Sequence, residues 1–302
     1  MPRAKLDGPT TLRKPPGFWK TFAWMIGMSA CLAFLTVGDE GLDRVGMVFL
    51  EIILIQIGVV AVFLYGIAPL KMRKTYWMSP TPEIRPVEPD SAELPPTVAE
   101  GSRSGSEALS RLGFVDHGLF FLADSNPNVT TYVSLFGHQD SGTEAKRLDM
   151  ILPAGAPIET TTHFWTKFAD GTQVITHNNV RPSLMPVPPK RRGFPFPDVQ
   201  DPARLLALHR RAIAEVGEFS ARSPIIQEDP APWILRTMAE EQEQLVKAGY
   251  FSFDEEAGVY RPTYRGAFVM TWKYLWPWGP IRKRIRLLRS RRLLRTWEGS
   301  AH

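Results

Sequence analysis

From Phe22 to Val37 the chain carries no charged residue, and a second apolar run reaches from Val45 to Leu70. A hydrocarbon core about 30 Å thick takes roughly 20 helical residues, so the second run is long enough to span it and the first is at the short end. Arg13, Lys14 and Lys20 precede the first run as they would in a signal peptide, but GDEGLDR follows without a small-x-small cleavage pattern and leads straight into the second run. The pattern therefore predicts a two-helix transmembrane hairpin over residues 18–70. Arg3, Lys5, Arg13, Lys14 and Lys20 precede it, Lys71, Arg73 and Lys74 follow it, and Asp39, Glu40 and Asp43 dominate the short loop. Basic flanks stay inside, which predicts a multi-pass inner (cytoplasmic) membrane protein with both termini cytoplasmic. Ala23, Gly27 and Cys31 form a small-residue stripe suited to close packing against Gly58 and Ala61. Glu51 and Gln56 are the polar positions of the second run, and Glu51 is near enough to its start to reach the interface.

The single cysteine among 302 residues excludes an internal disulfide framework and any cysteine-cluster metal site. The formal charge of +5 is uneven: Arg282, Lys283, Arg284, Arg286, Arg289, Arg291, Arg292 and Arg295 supply 8 positive charges, and +5 less 8 leaves −3 for the remainder.

Residues 71–106 read as a proline-rich tether, because Pro80, Pro82, Pro86, Pro89, Pro95 and Pro96 cannot donate backbone hydrogen bonds and bias the chain toward extension. A cytosolic α+β domain is expected over 107–279, divided into a β-rich part (107–180), a proline-rich crossing (181–200) and a helical part with a hairpin (201–279). Strand-like runs at 118–123, 130–136, 145–152, 161–168 and 172–177 are separated by turn residues, which implies an antiparallel sheet. Residues 202–219 and 233–248 have helical spacing, with Asp201 and Asp229 placed as caps. A hairpin is expected from 250 to 263, and the helices are expected on one sheet face. A basic amphipathic tail occupies 280–302, after the cytosolic N-terminal tail at 1–17 and the domain proper.

LGF at 112–114, FADGTQVITHNN at 168–179 and YRPTYRGAFVMTWKYLWP at 260–277 resemble segments of uncharacterised membrane-anchored bacterial proteins. The resemblance implies a bacterial source and carries over no activity and no catalytic residue.

The hairpin around Asp170-Gly171 holds the best local constellation. A three-residue loop with Gly171 in a left-handed conformation places His163 directly across from His177, where two imidazoles can share a metal ion. A two-residue loop moves the pairing by one and puts them on opposite faces. A zinc site takes three or four ligands, and no third is evident. Enzyme motifs are otherwise absent: there is no G-x-S-x-G elbow, phosphate-binding loop, dinucleotide fingerprint or H-E-x-x-H. His117 and His209 have no arranged partner in sequence. No catalytic residue and no cofactor is assigned.

Residues 233–270 are similar to the end of a winged-helix domain, yet the helix that would enter a groove carries Glu240, Glu241 and Glu243, which repel phosphates. Pro186-Val187-Pro188-Pro189-Lys190-Arg191 matches a proline-module ligand, and Phe194 and Phe196 beside it suit a partner surface. Trp272, Trp276 and Trp278 before Arg282, Lys283, Arg284, Arg286 and Arg289 suit a membrane interface, with cations meeting anionic lipid. These features together predict a non-enzymatic scaffold, adaptor or sensor at the membrane surface, with lipids and an unidentified protein as partners. The alternatives are a membrane-tethered nucleic-acid binder using the winged-helix-like segment and tail, and a metal-dependent enzyme at His163 and His177.

Overall fold

The computed structural model describes residues 28, 31, 42–92, 94–126, 129–138, 141–151, 157–180, 183, 185–217, 229–273, 275 and 278–299. The chain divides into two compact units, residues 1–66 and 67–302.

In the first unit, helix α1 spans Leu42–Val62 and widens into a π-helical turn at Phe63. Leu50, Leu54 and Ile57 are exposed on it. Among the described residues no helix is long and apolar enough to cross a membrane. This overturns the expected two-helix hairpin, and with it the multi-pass inner-membrane placement. Charge and polarity interrupt α1: with Asp43, Arg44, Glu51 and Gln56 in it, no uninterrupted apolar stretch exceeds 6 residues. Of the first apolar run, all but Met28 and Cys31 lies outside the described residues.

The second unit is an α+β domain built on a seven-stranded sheet in the order β1-β2-β3-β4-β5-β6-β7. The strands are β1 (Ile84–Val87), β2 (Val115–Asn126), β3 (Val129–His138), β4 (Thr143–Ile151), β5 (Pro157–Lys167), β6 (Gln173–His177) and β7 (Arg191–Pro195). All neighbours are antiparallel except β6 and β7, which run parallel and are joined by the proline-rich crossing. Parallel neighbours cannot be joined by a tight turn, so the crossing is a geometric necessity.

Helices cover both faces of the sheet, where the sequence suggested one. On one face lie α3 (Pro96–Ser110) and α4 (Pro202–Val216). They bury Val98, Leu109, Leu205 and Ala212 against Phe136, Phe164, Tyr132 and Leu119. On the other lies α5 (Pro230–Lys247), whose Trp233 and Ile234 pack on Phe120, Leu122, Val133 and Leu135. Leu119 and Phe120 are consecutive and face opposite ways, so the apolar run of β2 supplies both cores. Asp201 caps α4 through Ala203 N (3.1 Å) and Arg204 N (3.2 Å), and Asp229 caps α5 through Ala231 N (3.2 Å).

The segment expected as a tether is instead part of this domain. Its first residues belong to helix α2 (Ala68–Thr75), β1 is the edge strand of the sheet, and Leu94, Val98 and Ala99 are buried. Proline is compatible with each place: Pro86 sits on an edge strand, and Pro96 opens α3 where its missing N–H has no helical partner to lose. A smaller lobe joins α2, the hairpin β8 (Phe251–Asp254) and β9 (Val259–Pro262), and α6 (Tyr264–Trp272) around Met78, Leu245, Phe251 and Met270. The basic segment forms α7 (Trp278–Gly299), which is not a free tail: Leu294 and Trp297 are buried in the α4 core, and Trp297 lies 5.7 Å from both Phe194 and Phe196.

Candidate functional site

The β5–β6 turn sets the geometry of the site. Asp170 accepts from Thr172 N and from Thr172 Oγ1, each at 2.8 Å, Gly171 has φ of +82°, and Phe168 N donates to Thr172 O at 2.9 Å. That is the three-residue loop, and its register sets His163 opposite His177. Their ring centroids are 5.2 Å apart with an interplanar angle of 32°.

The same sheet face continues across β4 and β7, because directly opposed residues share a face. Lys146 is opposite His163, Glu144 is opposite Trp165, and Arg191 is opposite Gln173. The Lys146 ammonium lies 3.8 Å from the Trp165 ring centroid and 4.6 Å from that of Trp233 on α5. The Arg191 guanidinium stands 5.4 Å over Trp165 and pairs with Glu241 of α5. Lys167 pairs with Glu240 at 2.6 Å. Helix α5 is thus held over the sheet by ion pairs as well as by Trp233 and Ile234. The winged-helix-like reading placed Glu240 and Glu241 on a groove-reading face, and the fold places them against the sheet.

Burial dominates the electrostatics here. Desolvation pushes the Glu144 carboxyl up to about 7, against the attraction of Lys146 and Lys167. Desolvation lowers Lys146 to about 8, against Glu144 and Glu241. His163 is lowered to about 4, first by burial and then by Lys146 and Arg191, against its hydrogen bond to Asn179. His177 falls well below its usual value through burial and the charges of His163, Arg286 and Arg191. Both imidazoles are therefore neutral at pH 7, and the cluster gathers shifted groups in the manner of binding and catalytic sites.

His163 Nε2 bonds with Asn179 Oδ1 (2.8 Å) and Thr161 Oγ1 (3.1 Å). Arg286 of α7 donates to Asn179 O at 2.7 Å, which brings the basic helix to the histidine end. His177 Nδ1 and Trp165 Nε1 are buried, and neither has a hydrogen-bond partner among the described residues. As a metal site the pair is short of ligands: no group of three or more His, Cys, Asp or Glu side chains occurs among the described residues. Lys146, Arg191 and Arg286 are also of the sign that repels a cation.

The aromatic and basic residues picked out before and within α7 have separate fates. Trp272 stacks on Trp278 at 4.6 Å and on Phe268 at 5.9 Å, while Trp276 lies outside the described residues. Arg282, Lys283, Arg284 and Arg289 are exposed, and Arg286 is half-buried. His209 is fully buried, with Nε2 and Nδ1 each 3.0 Å from a hydroxyl, Thr166 and Thr176 respectively. It holds two strands to α4 and has no opening to solvent.

Sequence reading missed Glu144, Lys146, Trp165 and Arg191. The signal was present in β4, where Glu144 and Lys146 share one face of a strand whose other residues alternate into a core. Nothing in the sequence said that this face would be roofed by α5.

No family model, no curated protein and no solved structure matches this chain.

Proposed function

We propose that this chain is a non-enzymatic adaptor whose α+β domain presents the 182–197 crossing to a protein partner. The observation that supports the reading is a pair of hollows on opposite faces of one sheet end. One, about 520 Å³, is lined by Thr172, Pro189, Lys190, Arg192, Phe194 and Val216. The other, about 480 Å³, includes Lys167, Pro189, Lys190, Glu240 and Lys247. Pro189 and Lys190 are common to both, so this short proline-rich stretch stands between two concave surfaces. Pro186 and Pro188 are buried while Val187 and Pro189 are exposed, which anchors the crossing and limits the entropy a partner must remove on binding. Lys190 and Arg192 rim an apolar floor of Phe194 and Val216, a chemistry suited to an acidic segment with an apolar anchor.

A photo-crosslinking residue at Val187 tests this in cells of the source organism, with Tyr264 as an exposed control position. A discrete adduct at 187 that is missing at 264 and is lost in a Lys190→Glu, Arg192→Glu variant is the expected result. Equal labelling at both positions, or an adduct indifferent to the charge reversal, would overturn it.

A second reading, nucleic-acid binding, is favoured by one observation: Arg282, Lys283, Arg284, Arg289, Arg292 and Arg295 are exposed along α7. Phosphate contact through this helix predicts steeply salt-dependent affinity for duplex DNA or RNA. Affinity that is absent at low salt, or unaltered when these arginines become glutamine, would remove this reading.

A further inference from the structure

At the other end of the β5–β6 pairing from Pro189 and Lys190, Lys146 and Arg286 bring positive charge to the histidine pair. We propose that this corner, bounded by His163, His177, Trp165, Lys146 and Arg286, is a binding site for a small oxyanion. The inference does not depend on the adaptor reading, because none of these residues lines the two hollows.

Two buried polar atoms without partners carry the argument. Trp165 is only 7% exposed, and its indole nitrogen is a donor that can do nothing except donate. His177 Nδ1 is likewise buried and unmatched on the same face, two positions along the opposing strand from Ile175, which faces Trp165. Leaving the buried indole donor unsatisfied costs about 1–3 kcal/mol, and His177 Nδ1 is a second unmatched donor in the tautomer that carries its proton there. A bound acceptor would satisfy both.

Charge selects which acceptor. Lys146 stands opposite His163 and has no carboxylate within salt-bridge distance among the described residues, its ammonium lying instead between two indole rings. Arg286 reaches the same corner through its bond to Asn179 O. The nearest acids are engaged elsewhere: Glu241 pairs with Arg191 and Glu240 with Lys167, both toward the hairpin end. Glu144, beside Trp165, is kept toward its neutral form by burial. An anion at the histidine end therefore meets net positive charge in a poorly solvated place, where charge-assisted hydrogen bonds are strong. A metal cation would meet the same charges as repulsion.

The test is a titration of the full chain with inorganic phosphate, against chloride at matched ionic strength, followed through the Trp165 indole N–H and His177 ring nitrogen resonances. Saturable shifts of both signals are expected, with affinity falling about tenfold in Arg286→Gln and again in Lys146→Met, as loss of one charge-assisted contact would give. Unfolding temperature should rise with phosphate in the wild type and rise less in each variant. Should Arg286→Gln fail to fold, Lys146→Met carries the comparison alone, since its partners are two rings. Shifts that stay linear in phosphate, or that saturate equally in both variants, would overturn the proposal.

Discussion

The ammonium of Lys146 lies 3.8 Å from the Trp165 ring centroid and 4.6 Å from that of Trp233, so a cation from β4 is clasped between a strand indole and a helix indole. Cation–π contact is worth roughly 2 kcal/mol when desolvated, against which stands the cost of dehydrating the ammonium. Trp233 is the roof that makes the site dry. Trp233→Leu should therefore lower stability by about 2–4 kcal/mol and move Lys146 upward from about 8 toward its ordinary value. Denaturant unfolding gives the first quantity, and a pH titration of the lysine side-chain carbon resonances gives the second.

Stability should depend on pH through opposed contributions from one cluster. His163 titrates lower in the folded chain, about 4 against 6.5 unfolded, so the unfolded state binds more protons between these values. Its contribution is complete above 6.5 and is lost as pH falls toward 4, on the order of 3 kcal/mol. Glu144 is raised to about 7 from 4.5, so the folded state binds the extra proton and stability from this group grows as pH falls through that window. His177, lowered by the same burial, adds to the acid-side loss, so unfolding free energies should fall from pH 7 to pH 4 in the wild type, less steeply than the two imidazoles alone would give. The acid-side loss should be steeper in Glu144→Gln and smaller in His163→Gln. Equal slopes in all three proteins would contradict the assignment.

His209 joins β5 and β6 to α4 through Thr166 and Thr176. Thr166 has a second partner in Thr143 at 3.1 Å, whereas among the described residues the Thr176 hydroxyl bonds to the imidazole. His209→Leu should cost about 1–3 kcal/mol, chiefly by stranding the Thr176 hydroxyl. Adding Thr176→Val should recover part of that loss, giving a coupling energy in a double-mutant cycle. A strictly additive pair would show that the hydroxyl finds another partner.

A Cβ on Gly266 would come within 1.9 Å of the Tyr250 carbonyl oxygen, so α6 can approach the end of α5 only with glycine there. Gly266 N donates to the Thr263 cap hydroxyl at 3.1 Å, and that hydroxyl donates to Gly249 O at 2.8 Å, so the clash falls on a capped helix start. Gly266→Ala should separate the small lobe and cost more than about 2 kcal/mol, while Gly258→Ala, with open space but φ of +65°, should cost about 1 kcal/mol. Urea midpoints for the two variants check the ranking.

Local chemistry was legible without a structure. Strands β2 to β6, the capped helices at 202 and 230, the hairpin near 251 and the three-residue loop, one of two turns weighed at Asp170-Gly171, follow from alternation, cap residues and turn residues, all of which act within a few positions of the chain, whereas β1 and β7 lie in the segments read as tether and crossing. The opposition of His163 and His177 belongs to this class, since one turn sets it. Membrane spanning, a free tether and a free tail did not survive, because apolar content, prolines and a run of arginines are properties of a segment, whereas burial is a property of what lies beside it. Val98 is covered by the sheet, Pro86 is tolerated at its edge, and Trp297 is drawn into the α4 core together with the helix that carries it. Lys146 and Glu144 have ordinary neighbours in sequence. Only the placement of α5, with Trp233, Glu240 and Glu241 over that face, removes water from them and turns two routine strand residues into a carboxyl raised to about 7 beside an ammonium lowered to about 8.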